Sequence, residues 1–371
     1  MARLAGELVV VANSPHLYQV IAGFVMLQRA GLVDVALRFD GDYRAELPTS
    51  HLVELRLAGG PTIAYDMIDG YNFVGPARLQ DYLARVDLYF KRSFNEACHA
   101  GIANAGRIVP FGLNYPVTVR HPFFARIEPP NMREWPRRVA RLIAGPRTLD
   151  VRRFEDVPRP NGDPTILFQT RTWDPDERGA LSDHERGERA HLNEMRAACV
   201  RRLRQQFGAR FRGGFMPGPH ARATYPDCVL EVPGAVSKRR YMRTLKDADI
   251  CVATAGLHGS NGWSLGEYVA ASKAVVSQHL RYAVPGFTDG RHYAGFATAD
   301  ECVERVSDLV DDPAQLRQMQ IENYAYYHRF LRPDQLILNS LLLALSLGSD
   351  RGQTGVRPGS DQGQTRVRPV V

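Results

Sequence analysis

Lysine is nearly missing from this chain. Of its 47 basic residues only Lys91, Lys238, Lys246 and Lys273 are lysine, so arginine supplies almost all of the formal charge of +7. No basic run with interleaved aromatics accompanies that charge, which removes the usual signature of a nucleic-acid surface and leaves small anionic substrates compatible. Cysteine is also sparse. Cys98, Cys199, Cys228, Cys251 and Cys302 are scattered, odd in number and never in CxxC spacing, which argues against a disulfide framework or structural zinc and fits a reducing compartment. No stretch reaches the roughly 20 apolar residues that a membrane span needs. The best candidate, Leu336 to Leu347, is broken by Asn339 and Ser340. Leu8 to Ala12 is too short for the apolar core of a signal peptide and reads as a buried strand. A cytoplasmic protein without a transmembrane segment is expected. GxGxxG, P-loop, HExxH and EF-hand patterns are absent too, which lowers the dehydrogenase and kinase readings.

What is present is the composition of an ordinary globular protein, with 371 residues, 44% of them hydrophobic and 23% charged, long enough for two domains. Strands are expected at Glu7 to Ala12, Val33 to Phe39, His51 to Leu57, Pro61 to Met67, Val86 to Phe90 and Arg107 to Phe111. Helical patterns intervene at Pro15 to Ala30 and Leu79 to Ala84, so a parallel α/β sheet is predicted, with ligands beyond the carboxyl ends of its strands. Prolines and arginines dominate from Glu128 to Pro164, where a connection carrying a helix from Trp135 to Ile143 is expected. A second α/β pattern starts at Thr165. The predicted organisation is an N-terminal domain over 1–127, a connection over 128–164, a second domain over 165–330, a bracing helix over 331–348 and a tail over 349–371. That tail is a polar tandem repeat, GSDRGQTGVRP then GSDQGQTRVRP, lacking the apolar residues that would offset ordering entropy, and is expected to be disordered.

The most informative stretch runs from Asp247 to Ser277. A short apolar strand, Ile250 to Ala255, leads into the glycine-rich loop Gly256 to Gly262, then a helix from about Trp263, then the strand around Val275-Val276. Glycines allow a phosphate to approach the backbone, and the helix N–H groups face it. Glu267 lies early in that helix. Ser264-Leu-Gly-Glu267 also fits a capping box, in which Glu267 bonds back to the helix start. The position of the N-cap separates the two readings.

Through LKDADICVAT, LGEYVAASKAVVS and VPGFTDGRHYAGFATADECVERVSDLVDDPAQLRQMQIENY, the segment from Ser237 to Tyr327 resembles the nucleotide-sugar domain of GT-B glycosyltransferases, especially the large retaining families. The resemblance implies an α/β fold of two Rossmann-like domains facing across a cleft. It implies a nucleotide-diphosphate sugar as co-substrate, with no further cofactor and no metal, so Asp174-Pro-Asp176 is not read as a metal-binding DxD. Glu267 matches the glutamate that holds the donor ribose, each charge-assisted hydrogen bond being worth about 1.5–3 kcal/mol. Gly259, Ser260, Asn261 and Gly262 would offer N–H groups to the diphosphate, Arg171 and Lys238 positive charge, and His258 a contact to phosphate or sugar. Tyr282, Pro285 and Gly286 fall where sugar contacts are expected. The family's second glutamate is replaced here by Gly259, which points to a different sugar pocket.

In the N-terminal half His16, Asp66 and Asp69 follow strands and are the catalytic candidates. His16 is suited to accept a proton or bond an acceptor hydroxyl, and the aspartates to bind the acceptor or serve as base. Lys91, Arg92 and Asn114 are further cleft candidates. The acceptor is open among a carbohydrate, a lipid-linked molecule and a small metabolite. The resemblance favours retention, and inversion would need a base such as Asp66 or His16. A nucleotide-sugar epimerase on the same fold and a non-catalytic sugar-nucleotide-binding protein are the alternatives.

Overall fold

The computed structural model describes residues 3–40, 47–71, 75–125, 148–159, 162–177, 179, 181–230 and 238–353. The helix expected from Trp135 to Ile143 and the repeat tail beyond Gln353 lie outside the described residues. Strand β1 (Leu4–Val10) is followed by helix α1 (Tyr18–Arg29) and by β2 (Val33–Phe39), which lies parallel to it. Strands β3 (Leu52–Leu57), β4 (Thr62–Asp66), β5 (Leu88–Lys91) and β6 (Ile108–Pro110) complete a six-stranded sheet in the order β2-β1-β3-β4-β5-β6, with α2 (Pro76–Leu83) between β4 and β5.

One strand corrects the parallel reading. β3 runs antiparallel to both β1 and β4. Only Ala58 to Pro61 separate it from β4, with Gly59 turning the chain at φ +67, whereas a parallel return needs about a dozen residues or more. Its first residue, Leu52, pairs with Asp66, the last of β4, and Val53 pairs with Val10, the last of β1. The start of β3 therefore shares an edge with the ends of β1 and β4.

The second sheet is parallel throughout. Strands β7 (Ile166–Thr170), β8 (Phe211–Phe215), β9 (Ile250–Ala253), β10 (Ala274–Gln278) and β11 (Ala294–Phe296) are arranged β8-β7-β9-β10-β11. Burial on both faces explains the uninterrupted apolar sequence Ile-Cys-Val-Ala of β9. Helix α3 (Asp183–Phe207) joins β7 to β8 and opens with a capping box between Ser182 and Glu185. Helix α4 (Lys238–Asp247) feeds β9, and α5 (Trp263–Ala270) carries the chain from β9 to β10. Helices α6 (Ala299–Asp311) and α7 (Pro313–Tyr326) follow, and a wide turn over Tyr327–Leu331 leads to α8 (Pro333–Gln353).

Helix α8 returns to the first sheet. Leu336, Ile337, Leu341 and Ala344 are buried with Val20, Ile21 and Phe24 of α1, each large apolar side chain contributing about 1.5–3 kcal/mol. Gly23 permits the contact, since a Cβ there would collide with the Pro333 carbonyl. Tyr65 and Ser340 share a hydrogen bond of 2.9 Å beneath it. Among the described residues no helix is long and apolar enough to cross a membrane.

Candidate active site between the two sheets

β9 ends at Ala253, and the glycine loop folds back on itself through Gly256 N donating to Ser260 O at 2.8 Å. His258 and Gly259 both take left-handed backbone angles, φ 61 and 64. The N-cap of α5 is Gly262, without a side-chain cap, so Glu267 lies in the second turn and forms no capping box. Its carboxylate instead meets Lys238 Nζ at 2.5 Å, and Tyr241 also bonds to it. Two residues assigned from sequence to different parts of a donor are thus bound to each other. At Gly259, where the resembling family has its other glutamate, an added Cβ would lie 2.7 Å from Arg281 Cδ. The Arg281 stem occupies that space.

A cavity of about 520 Å³ opens beneath the loop, between the sheets. Arg171 and Trp173 enter it from the end of β7, Arg196 from α3, Lys238 from α4 and Glu267 from α5, while His16, Asp69 and Arg92 face it from the first sheet. The Arg171 guanidinium lies 4.0 Å over the Trp173 ring. Arg196, which sequence reasoning missed, is buried and donates to Thr254 Oγ1 at 3.1 Å, Arg171 O at 2.8 Å and Ala255 O at 2.8 Å. Those acceptors are neutral, and no carboxylate among the described residues pairs with it. Burial, then the nearby Arg171 charge, lower its pKa to about 10. Buried cations without a counter-ion are costly, and this one borders the cavity. The sequence held a clue, because Arg196 sits between Leu192 and Val200 on the buried face of α3.

A second cavity of about 430 Å³ adjoins the first, sharing His16, Asp69 and Leu257 with it. Thr49, Ser50 and His51, from the segment leading into β3, form its other wall together with His258. His16 packs edge-on against His51 at 4.8 Å and against Trp263 at 4.7 Å. Burial, reinforced by the Arg92 charge, lowers the His16 pKa to about 4, and burial lowers that of His51, so His16 is neutral at physiological pH. Asp69, 29% exposed, meets Arg92 Nη1 at 2.5 Å, and Arg92 Nη2 donates to Asn261 O across the cleft at 2.9 Å.

The structure brings together His16, Asp69, Arg171, Lys238, Ser260, Gly262 and Glu267 around the larger cavity, with His258 in the wall of the smaller. Gly259 and Asn261 stand behind the loop toward Arg281. Asp66 is a correction. It is 0% exposed, pairs with Lys91 at 2.9 Å and accepts from Tyr89 Oη at 2.6 Å and Ile68 N at 2.9 Å, so it lines neither cavity. Asn114 and Lys91 are likewise buried, Asn114 donating to His16 O at 3.1 Å. Pro285 and Gly286 line neither cavity. Among the described residues no group of three or more His, Cys, Asp or Glu is placed to hold a metal ion.

No family model and no curated protein matches the chain. Similar solved structures include sucrose-phosphate synthase from Thermosynechococcus elongatus, at 13% identity and TM-score 0.41, covering 90% of this chain and 73% of that one. TarM of S. aureus, solved with UDP, α-GlcNAc-glycerol and fondaparinux, is similar at 11% identity and TM-score 0.40, over 72% of this chain and 46% of that one. The S. aureus MnaA–UDP structure is similar at 13% identity and TM-score 0.37, over 77% and 65%. Likeness at this level decides nothing about activity. Two α/β units facing across a cleft, with a last helix returning to the first, make a fold of the GT-B type.

Proposed function

We propose that this chain transfers a sugar from a nucleotide-diphosphate donor to an acceptor hydroxyl. The observation that carries the reading is the buried, uncompensated Arg196 beside Arg171 and the glycine loop, in a cavity that also holds Glu267 and opens into a second chamber. The diphosphate binds against Arg171 and Arg196 and takes Lys238 from Glu267. Glu267 is thereby released to accept hydrogen bonds from the ribose hydroxyls. As the bond between anomeric carbon and diphosphate breaks, the negative charge left on the phosphate oxygens is stabilised by these cations. The acceptor hydroxyl approaches from the second chamber past Asp69. In a retaining course its proton passes to the departing diphosphate, and in an inverting course a base at the boundary of the two chambers, Asp69 or His16, takes it. We favour retention, without metal assistance. The described cysteines are all free, in keeping with a cytoplasmic setting.

Thermal-shift measurements with UDP, GDP, dTDP and ADP test the donor site. A nucleotide at about fifty times its dissociation constant stabilises by roughly 2.3 kcal/mol. The reading fails if none of the four shifts melting, or if Glu267→Ala leaves the shift intact. The second chamber favours transfer over epimerisation, which needs no acceptor. Product mass and anomeric NMR separate the two and fix the stereochemistry.

A further inference from the structure

The two chambers divide the charge unequally. The donor chamber holds Arg171, Arg196 and the Lys238–Glu267 pair, whereas no lysine or arginine among the described residues lines the second chamber. Its ionisable wall groups are His16, His51, His258 and Asp69. Arg92, at the boundary, is already committed to Asp69 and to the Asn261 carbonyl. Behind the wall, Asp66 bears on His51 through space, and Glu188 lies 3.7 Å from His258 Nδ1. The remaining polar lining is hydroxyl, with Ser50 Oγ 3.3 Å from His51 Nδ1 and Thr49 Oγ1 accepting from His51 N at 3.1 Å. The neutral imidazole of His16 and the hydroxyls of Thr49 and Ser50 each both donate and accept, which suits hydroxyl groups. Among the described residues a phosphate would meet no lysine or arginine of the wall and would face the Asp69 carboxylate. The volume, about 430 Å³, lies at the small end of ligand cavities, which span about 300–1,000 Å³.

We propose that the second chamber takes an uncharged, polyhydroxylated acceptor of small-sugar size and discriminates against phosphorylated acceptors, polyprenyl phosphates included. This rests on the glycosyl-transfer reading and adds the acceptor's chemical class to it. Charge selection works here by omission. Phosphate recognition belongs to the chamber where a diphosphate has to be held, and the described lining of the acceptor side offers hydrogen-bonding groups and the Asp69 carboxylate.

Saturation-transfer NMR on the full chain, saturated with the nucleotide chosen by thermal shift, provides the test. The probes are matched pairs, namely glucose with glucose 6-phosphate, glycerol with glycerol 3-phosphate, and myo-inositol with inositol 1-phosphate. The expected result is saturation transfer to at least one neutral member, with its phosphate weaker by about tenfold or more. Ser50→Arg places a cation in the half-buried wall and should narrow or reverse that preference, and His51→Arg is a second variant should the first not fold. Equal or tighter binding of a phosphorylated member to the wild type overturns the proposal. So does binding of no neutral member, or an unchanged preference in a folded arginine variant. A nucleotide signal in the same spectra keeps the transfer reading standing when the acceptor class fails, and its absence removes both.

Discussion

Asp66→Asn should damage stability while sparing the donor site. The native carboxylate accepts from Tyr89 Oη at 2.6 Å and Ile68 N at 2.9 Å and faces Lys91 Nζ at 2.9 Å, the two side chains being 0% and 1% exposed. Asparagine keeps an oxygen for Ile68 N but sets an amide donor among the Lys91 and Tyr89 donors. The Lys91 charge is then buried without a counter-ion. Breaking such a pair from one side costs about 3–5 kcal/mol. With a melting shift of about 2–4 °C per kcal/mol for a cooperative unit of about 150–250 residues, Tm should fall by about 6–20 °C. Lys91→Met should recover part of that loss in the double variant, because the uncompensated ammonium is gone. Urea unfolding of the four proteins closes the cycle, and calorimetry gives Tm. The folded Asp66→Asn variant should still bind nucleotide as the wild type does. A Tm change below about 2 °C, or a selective loss of nucleotide binding with stability unchanged, would refute the reasoning.

The remaining expectations concern single side chains around the cleft. His16 has a folded pKa of about 4 against an ordinary 6.5, so the unfolded chain binds the extra proton between those values. Its contribution is complete above about pH 6.5 and is lost as the pH falls toward 4, at most about 3 kcal/mol. Urea midpoints at neutral and acid pH should show that slope, and His16→Asn should flatten it. Arg196→Met removes a charge-assisted contact of about 1.5–3 kcal/mol, so affinity for the preferred nucleoside diphosphate should drop roughly 10- to 150-fold by calorimetric titration. A drop below about threefold would detach Arg196 from the anion. Gly70 sits at φ +66, and an alanine Cβ there would lie 2.9 Å from His258 Cβ. Gly70→Ala should therefore cost about 1–2 kcal/mol or more in urea unfolding.

The larger cavity, the proposed donor side, was legible in sequence because its signals are local. A short apolar strand, the glycine loop and Glu267 lie within one continuous stretch, and the helix start at Gly262 settles the capping question. The smaller cavity, the proposed acceptor side, was not, because its geometry depends on strand direction and register. His51 reaches the cleft only because β3 is reversed, which brings its beginning beside the ends of β1 and β4. The three residues between the predicted strands, Ala58 to Gly60, already held that information, since they are too few for a parallel crossover. Asp66 and Asp69 look alike in sequence, both following an apolar run. What separates them is register, for Asp66 pairs directly with Lys91 on the next strand, while Asp69 lies beyond the sheet and meets Arg92. Arg196 was readable as a charge on the apolar face of a helix, but its consequence required knowing that the three atoms accepting its hydrogen bonds are neutral.

The Lys238–Glu267 contact has a consequence for how a ligand's parts combine. Each of these charges serves as the other's partner at 2.5 Å. A nucleoside alone would draw Glu267 away and strand the ammonium, and pyrophosphate alone would draw Lys238 away and strand the carboxylate. Only a molecule carrying both ribose and diphosphate satisfies the two at once. On the proposed reading the site behaves as a conjunction, in which the fragments bind feebly and their covalent union binds better than the sum of their separate free energies.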